Sequence, residues 1–496
     1  MLKKFTGDAL VFGIGSALSR FAGLLAFPIF AKLLSPEEFA RQDLVLSFLT
    51  CAAIFFGLGL RTSFTRLYYE EDNRARGVML TSWLVLILIS AIAIILVALN
   101  AQEYIANQII NDELSEPLIL WGSIGLIFAL LAEQPMMVLR LRRHKYRFIS
   151  VSILGSTTTV ITAVLLIHQF ENKSLAVIIG YMLGHAMRYV AGTILTGWIW
   201  AASVSLRKSR EMLTFGLPLV PAAAALWAIG SLGRFIIQHE MTPLDTATYG
   251  IAAKLGSMIA LLWAGFSLAW GPFAFSLMDN PSKAALVYSR VASFVFFIGG
   301  VAMMSISVYS PELIVLLAQP RYADASQYVP ILTFNTIVWT FLSVACVGYQ
   351  YAKKTYHQTI GVGIGCAVFV VIINSMTKAL GVYGVVTSST IAALISVGYC
   401  TWASQKYLKV DFKFFRICGG CFIMFIFSYG TMMIPSALSK SQNLVDLSLS
   451  VFCLKILILI LGIFLLAYIC LGKPIVTKAF TMIKMKACAK KTFSKL

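Results

Sequence analysis

Fourteen stretches of this chain are each about 20 residues long, apolar and almost free of charge, which is the length a helix needs to cross a hydrocarbon core roughly 30 Å thick. They run approximately over 9–34, 43–64, 78–99, 118–139, 149–169, 175–200, 214–237, 247–276, 290–317, 329–352, 359–378, 384–403, 417–437 and 448–471. In lipid no water is available to bond the backbone, so segments of this kind are restricted to helices packed as a bundle. The connections are short, and the longest internal one, 100–117, leaves no room for a soluble catalytic domain. Composition agrees: of 496 residues, 59% are hydrophobic and 12% charged, where a soluble domain carries about 25% charged residues. The expected fold class is an all-α membrane protein of about 14 transmembrane helices.

The charges orient the bundle. Lys and Arg total 40 against 21 Asp and Glu, a formal +19. Most of the bases fall in one alternating set of segments: Lys3 and Lys4; Arg66, Arg74 and Arg76; Arg140 to Arg147; Arg207 to Arg210; Lys283 and Arg290; Lys353 and Lys354; Lys406 to Arg416; and the lysine-rich tail 473–496. The opposite set holds few bases, Arg41 and Lys173 among them, and loop acids such as Asp112 and Glu113, read as solvated. The positive-inside rule places the basic segments and both termini in the cytoplasm. The net charge is therefore mainly topological, and nucleic acid is not an expected partner. Lys3 and Lys4 before an apolar run resemble a signal peptide, but that run is too long and lacks a cleavage site, so an uncleaved first helix is expected. No cysteine falls in an outer loop, and Cys418-Gly-Gly-Cys421 reads as small residues at a helix contact.

An internal repeat is visible. Arg143-His144-Lys145-Tyr146 before Gly155 matches Lys353-Lys354-Thr355-Tyr356 before Gly365, and Phe39-Ala40 matches Tyr249-Gly250, at one offset. Leu34-Ser35-Pro36-Glu37-Glu38 likewise parallels Met241-Thr242-Pro243-Leu244-Asp245. Six helices form an even-numbered unit, so two copies keep the same orientation. The expected organisation is a six-helix lobe over 1–206, a second over 207–410, two added helices over 411–472 and a basic cytoplasmic tail over 473–496.

Chemistry in this chain has to come from what remains in the membrane. There is no P-loop and no H-E-x-x-H pattern. Gly361-x-Gly363-x-Gly365 lies in an apolar helix and reads as helix packing. The charges left inside are Arg20, Arg61, Arg188, Arg234, Lys254 and Lys455, with Glu133 read as the one buried acid. Each costs about 2.5–3.5 kcal/mol at mid-helix on insertion scales. Arg20 lies about 17 Å into the first helix, at 1.5 Å per residue. His185 shares a helix face with Arg188. Arg61 and Lys455 lie near helix ends, where snorkelling accounts for them. Arg20, Arg234, Lys254 and Arg188 are the candidate binding residues for an anion, with Arg20 and Arg234 expected to face one another across the repeat axis. Glu133 and His185 are candidates for coupling to a proton or sodium gradient, and no cofactor or metal is expected. Pro218, Pro221, Gly230 and Gly233 in one helix and Trp270-Gly271-Pro272 in the next are expected to break those helices around a cavity.

Several segments resemble the polysaccharide transporters of the multidrug/oligosaccharidyl-lipid/polysaccharide exporter superfamily. They are Leu18-Ser19-Arg20-Phe21-Ala22-Gly23 with Pro28; Leu33 to Ala40, where the family usually ends on Gly; Phe215-Gly216-Leu217-Pro218-Leu219-Val220-Pro221; Tyr249 to Lys254; Trp270-Gly271-Pro272-Phe273; and Tyr322-Ala323-Asp324-Ala325 before Val329-Pro330. The resemblance implies a Wzx-type, non-enzymatic flippase of the bacterial inner membrane. Its substrate would be an undecaprenyl-diphosphate-linked oligosaccharide serving O-antigen, capsule or exopolysaccharide, and its partners other polysaccharide-assembly membrane proteins. Three alternatives rank below it. A lipid II flippase would usually carry an Arg-Asp pair in the first helix, but 23–30 has no charge. A cation-coupled drug exporter would usually carry buried acids. A membrane polymerase or ligase would need a larger outer loop.

Overall fold

The structure is a computed structural model and describes residues 27–68, 70–278, 280–432 and 449–471. No strand occurs among the described residues, and twelve of their helices are long and apolar enough to cross a membrane. Most of the expected first helix, including Arg20, lies outside the described residues, as do the tail 473–496 and the expected pairing of Arg20 with Arg234; residues 27–33 are helical.

The first half contains α1 (Pro36–Phe56), α2 (Leu60–Leu67), α3 (Asn73–Tyr104), α4 (Glu116–Leu141), α5 (Lys145–Leu166) and α6 (Lys173–Thr196). A broken segment follows: α7 (Leu206–Gly216), α8 (Val220–Trp227) and α9 (Gly233–Glu240). Beyond it run α10 (Pro243–Gly256), α11 (Ile259–Ser276), α12 (Pro281–Val308), α13 (Ser310–Leu317), α14 (Val329–Ala345), α15 (Val347–Tyr351), α16 (Tyr356–Leu380), α17 (Val382–Gln405), α18 (Phe414–Met432) and α19 (Leu449–Leu471).

Local chemistry sets the boundaries that matter for function. Ser35 caps α1: its Oγ accepts the Glu38 amide, the Glu38 carboxylate accepts the Ser35 amide, and Pro36 sits in the first turn. Thr242 and Asp245 form the same box at the start of α10, with Pro243 in the first turn. The chain thus enters α1 at Pro36, well before the expected boundary at 43, so Arg41 becomes a helix residue and Asp43 moves from the expected first residue into the second turn. The expected 43–64 helix is in fact two helices. Leu58 and Gly59 adopt positive φ of 52° and 66°, and a Cβ on Gly59 would lie 2.4 Å from the Gly216 carbonyl oxygen. The break therefore needs glycine, and it lets α2 pack on α7, where the Ser63 hydroxyl donates to the Met212 carbonyl at 2.7 Å.

The proline-rich segment is broken as expected, by a 3₁₀ turn at Leu217–Leu219 and a π turn at Ala228–Leu232. At Trp270-Gly271-Pro272 the expectation fails: α11 runs through these residues, and the interruption falls at Ser257 and Met258. Pro135 is absorbed within a continuous α4. Beside it Gln134 is fully buried, and its Oε1 accepts the Trp200 indole N–H at 2.8 Å. Trp200→Phe is expected to cost about 1 kcal/mol by leaving that acceptor unpaired. Thermal unfolding in detergent, compared with a Trp198→Phe control, measures it.

Apolar burial falls into three clusters. One lies within the first half, around Leu44, Trp83 and Leu126. Another lies within the second, around Trp270, Tyr288, Phe341 and Met424. The third joins the halves: Phe27, Leu34, Phe39 and Val177 pack with Tyr249, Tyr322, Phe369 and Val385. Its members sit at the starts of α1, α6, α10 and α17 and toward the end of α16, which is the end opposite the basic loops.

Lys455, expected to snorkel, is paired instead, whereas Arg61, expected likewise, remains 59% exposed. Lys455 is only 2% exposed, and its ammonium bonds the Glu312 carboxylate and, at 3.4 Å, the Val308 carbonyl. This ties α19 to α13. Arg61 meets Glu133 at 3.5 Å. Nor is Asp112 simply solvated: it caps the Leu114 amide and receives the Arg41 guanidinium at 2.7 Å, and Arg41 also donates to Asn172 at 3.1 Å.

Candidate functional site

The candidate residues gather in two places. The first is a clasp between the halves at the end opposite the basic loops. Asp43 stands in the second turn of α1, only 7% exposed. Its Oδ2 lies 3.4 Å from Arg234 Nε of α9, and its Oδ1 lies 3.2 Å from Lys254 Nζ of α10. One carboxylate of the first half thus serves two cations of the second. Ser47, one helical turn on, accepts from Arg234 Nη1 at 2.6 Å, and its carbonyl accepts the Trp227 indole N–H at 3.1 Å. The Lys254 ammonium rests 4.2 Å above the Phe39 ring, a cation–π contact. Gly250 opens the face of α10 toward Asp43: a Cβ there would lie 3.1 Å from Oδ2. Further contacts close the same end, where Arg321 donates to the Leu34 carbonyl at 2.9 Å and Gln319 to the Lys32 carbonyl at 2.8 Å.

Glu133 is therefore not the one buried acid. Its side chain is 36% exposed, against 9% for Asp43 and 17% for Glu312, and Asp43 is the residue that organises Arg234 and Lys254. The signal was present in Ser35-Pro36-Glu37-Glu38, which is a helix start. Counting from that start puts Asp43 and Ser47 on one face, four residues apart.

The second place is a cavity of about 450 Å³ within the first half, lined by Arg61, Glu133, Arg140, His185 and Arg188 together with Ser152 and apolar side chains. Arg188, His185 and Glu133 are brought together here, apart from Arg234 and Lys254. The break before α2 places Arg61 where it reaches Glu133. Arg188 runs over Gly155, where a Cβ would stand 3.1 Å from its Nε, and Nη2 reaches Ser156 Oγ at 3.5 Å. The His185 ring packs edge-on to Tyr181 at 4.5 Å. Arg61 and Arg140 were missed as site residues, Arg61 because a helix-end arginine reads as snorkelling and Arg140 because it reads as topological. The cavity adjoins the ends of α4 and α5 that meet at the basic loop.

Comparison with known proteins places this geometry. The profile of the family described as "Polysaccharide biosynthesis protein" matches residues 29–327, which include the whole clasp and every charged residue of the cavity. The "Lsg locus putative protein 1" of Haemophilus influenzae is 16% identical over 362 residues, covering 70% of this chain and 85% of that protein. A solved lipid II flippase MurJ in an inward closed conformation superposes with a TM-score of 0.68 at 16% identity, over 92% of this chain and 98% of that one. An inward-facing multidrug transporter of the MATE family gives 0.68 at 15% identity, over 78% and 94%. At these identities the structural likeness establishes the fold, while the profile covers more than half the chain. This multi-pass membrane protein belongs to the polysaccharide biosynthesis protein family.

Proposed function

We propose that the chain is a flippase that moves a polyprenyl-diphosphate-linked oligosaccharide between leaflets by alternating access, without enzymatic chemistry. The observation that carries this reading is the clasp, in which one carboxylate of the first half holds two cations of the second at one end of the molecule. Rearranging that shared carboxylate exchanges contacts between halves without creating or destroying charge, as a reversible opening requires. The two cations exceed their counter-ion by one, which suits an anionic headgroup, and guanidinium pairs bidentately with phosphate oxygens. Arg20, Arg234, Lys254 and Arg188 are the proposed headgroup ligands, and a proton or sodium gradient acting through Glu133 or His185 is the proposed drive. The bacterial inner membrane is the proposed location.

In proteoliposomes loaded with lipid-linked oligosaccharide, exposure of the sugar in the far leaflet is read by an added glycosidase. Arg234→Ala is expected to cut that rate about tenfold, the value of one lost charge-assisted bond, while the protein inserts normally. An unchanged rate would remove Arg234 from the headgroup site. Efflux of cationic drugs with no lipid movement would replace the flippase reading by an exporter.

A further inference from the structure

A groove of about 470 Å³ runs beside the clasp, between the two halves. From the first half, Phe48 and Cys51 of α1 line it, with Gln108 and Ile109 of the π turn Ile105–Ile110 that follows α3. The broken segment contributes Trp227, whose indole bonds the Ser47 carbonyl, together with Leu232 and Ile236. His239 and Glu240, the last residues of α9, put the charge at one end. There the Glu240 carboxylate lies 3.8 Å from Lys378 Nζ of α16, and His239 Nε2 donates to the Ile109 carbonyl at 3.1 Å. From Trp227 to Glu240 the chain climbs about 20 Å at 1.5 Å per residue, against about 15 Å for half of the hydrocarbon core. The groove is therefore apolar in its depth and charged at the end opposite the basic loops, the layout of a lipid with its head outward. Asn374 of α16 also lines it and is exposed. It stands about 9 Å before the helix ends at Leu380, and an amide at that depth has no water to bond.

We propose that this groove is a binding site for a phospholipid with a primary-amine headgroup, of the phosphatidylethanolamine class. Lys378 holds the phosphate, Glu240 and His239 hold the ammonium, the Asn374 amide donates to the ester oxygens, and one acyl chain lies along Trp227 and Leu232. Charge selects the headgroup. The rim carries one carboxylate and one ammonium, which a zwitterion matches charge for charge. A phosphatidylglycerol would set its phosphate beside Glu240 with no ammonium between them, and a polyprenyl diphosphate would bring two such phosphates. A choline headgroup has the charge but no N–H. A primary ammonium offers three donors, to the Glu240 carboxylate and to His239 Nδ1, which is the acceptor of a neutral ring that donates through Nε2. The volume lies in the range of small-molecule sites. Because the lining comes from both halves, the seated lipid adds to the contact made by the clasp and favours the closed arrangement of that end.

The site does not rest on the flippase reading, since equilibrium binding tests it. Purified full-length protein in neutral detergent, stripped of lipid, is titrated with phosphatidylethanolamine, phosphatidylcholine and phosphatidylglycerol of identical acyl chains, and bound lipid is counted by native mass spectrometry. One tightly held phosphatidylethanolamine is expected, with an affinity about fivefold above the other two, the upper value for an exposed ion pair. Glu240→Gln, a change at an exposed rim that leaves the fold intact, is expected to bring phosphatidylethanolamine and phosphatidylcholine within about twofold of each other. Asn374→Trp, whose ring fills the groove, is expected to remove tight binding of all three. Equal affinity for the three lipids overturns the proposal, and so does a preference that Glu240→Gln leaves unchanged. Displacement of phosphatidylethanolamine by equimolar undecaprenyl phosphate overturns it as well, because the groove would then belong to a polyprenyl chain. Lost flipping with this lipid preference intact counts against the flippase reading alone.

Discussion

Asp43→Ala is expected to destabilise the protein by about 3 kcal/mol, the lower end of what removing one partner of a buried pair costs, and to abolish transport. The reasoning starts from burial. The Asp43 side chain is 9% exposed, and its partners Arg234 and Lys254 are 19% and 33% exposed. Without the carboxylate, the cations on α9 and α10 lose their shared counter-ion, and Ser47 Oγ remains as an acceptor for Arg234. Their residual access to water is why the lower end of the range applies. Because the carboxylate belongs to the first half and the cations to the second, the loss falls on the contact between halves. Asp43→Asn separates charge from hydrogen bonding and is expected to retain part of the stability but not the transport. The double variant Asp43→Ala with Lys254→Ala is expected to be more stable than Asp43→Ala, since it removes one of the stranded charges. Thermal unfolding followed by size-exclusion chromatography reads the first effect, and the glycosidase-protection assay reads the second. A double variant less stable than Asp43→Ala would show that Lys254 is held by its contact with Phe39 and not by the carboxylate.

The parts of this architecture that were legible in the sequence are those written in a repeating physical signal. Apolar runs of membrane length gave helices wherever they fall on described residues, and the prolines at 218 and 221 with the glycines at 230 and 233 marked the broken segment. Hidden from such a reading were the pairings. Asp43 stands at the very edge of the helix that hydropathy draws, where an acid reads as solvated, whereas Ser35 and Pro36 begin that helix seven residues earlier by satisfying orphan amides. The same shift turned Arg41 from a loop base into a buried partner of Asp112. Lys455 and Glu312 lie 143 residues apart, and no local pattern joins them, so a buried lysine read as one that reaches the interface. Arg61 and Arg140 failed for a related reason. Near a basic loop Arg140 satisfies the topological rule and Arg61 the snorkelling rule whether or not they also line a cavity, and only the break at Gly59 shows where Arg61 goes.

The second large effect is predicted at Gly184, which closes the α5–α6 crossing. A Cβ on Gly184 would lie 1.9 Å from Thr159 Oγ1 and 2.7 Å from the Gly155 carbonyl oxygen. One on Gly180 would lie 2.5 Å from the Thr159 carbonyl oxygen. Gly180 and Gly184 therefore form a small-residue face four residues apart, the spacing that lets membrane helices approach backbone to backbone. Thr159 can rotate, but a backbone carbonyl cannot give way without moving its helix. Gly184→Ala is expected to cost about 1–2 kcal/mol, and Gly184→Leu about 3 kcal/mol, the upper range for overpacking. Gly363→Ala is the control: a Cβ there meets nothing within 4 Å, although the residue lies between Gly361 and Gly365, which are packed against α17. It is expected to fall within about 0.5 kcal/mol of wild type. The consequence at Gly184 reaches beyond stability, because α6 presents His185 and Arg188 to the cavity immediately after it, and Arg188 is positioned by its passage over Gly155. Separating α5 from α6 displaces Arg188, so any Gly184→Leu protein that survives purification is expected to move lipid-linked oligosaccharide at least as slowly as Arg188→Ala. A normal rate in that variant would mean that Arg188 is oriented by α6 alone and that the glycine crossing serves stability only.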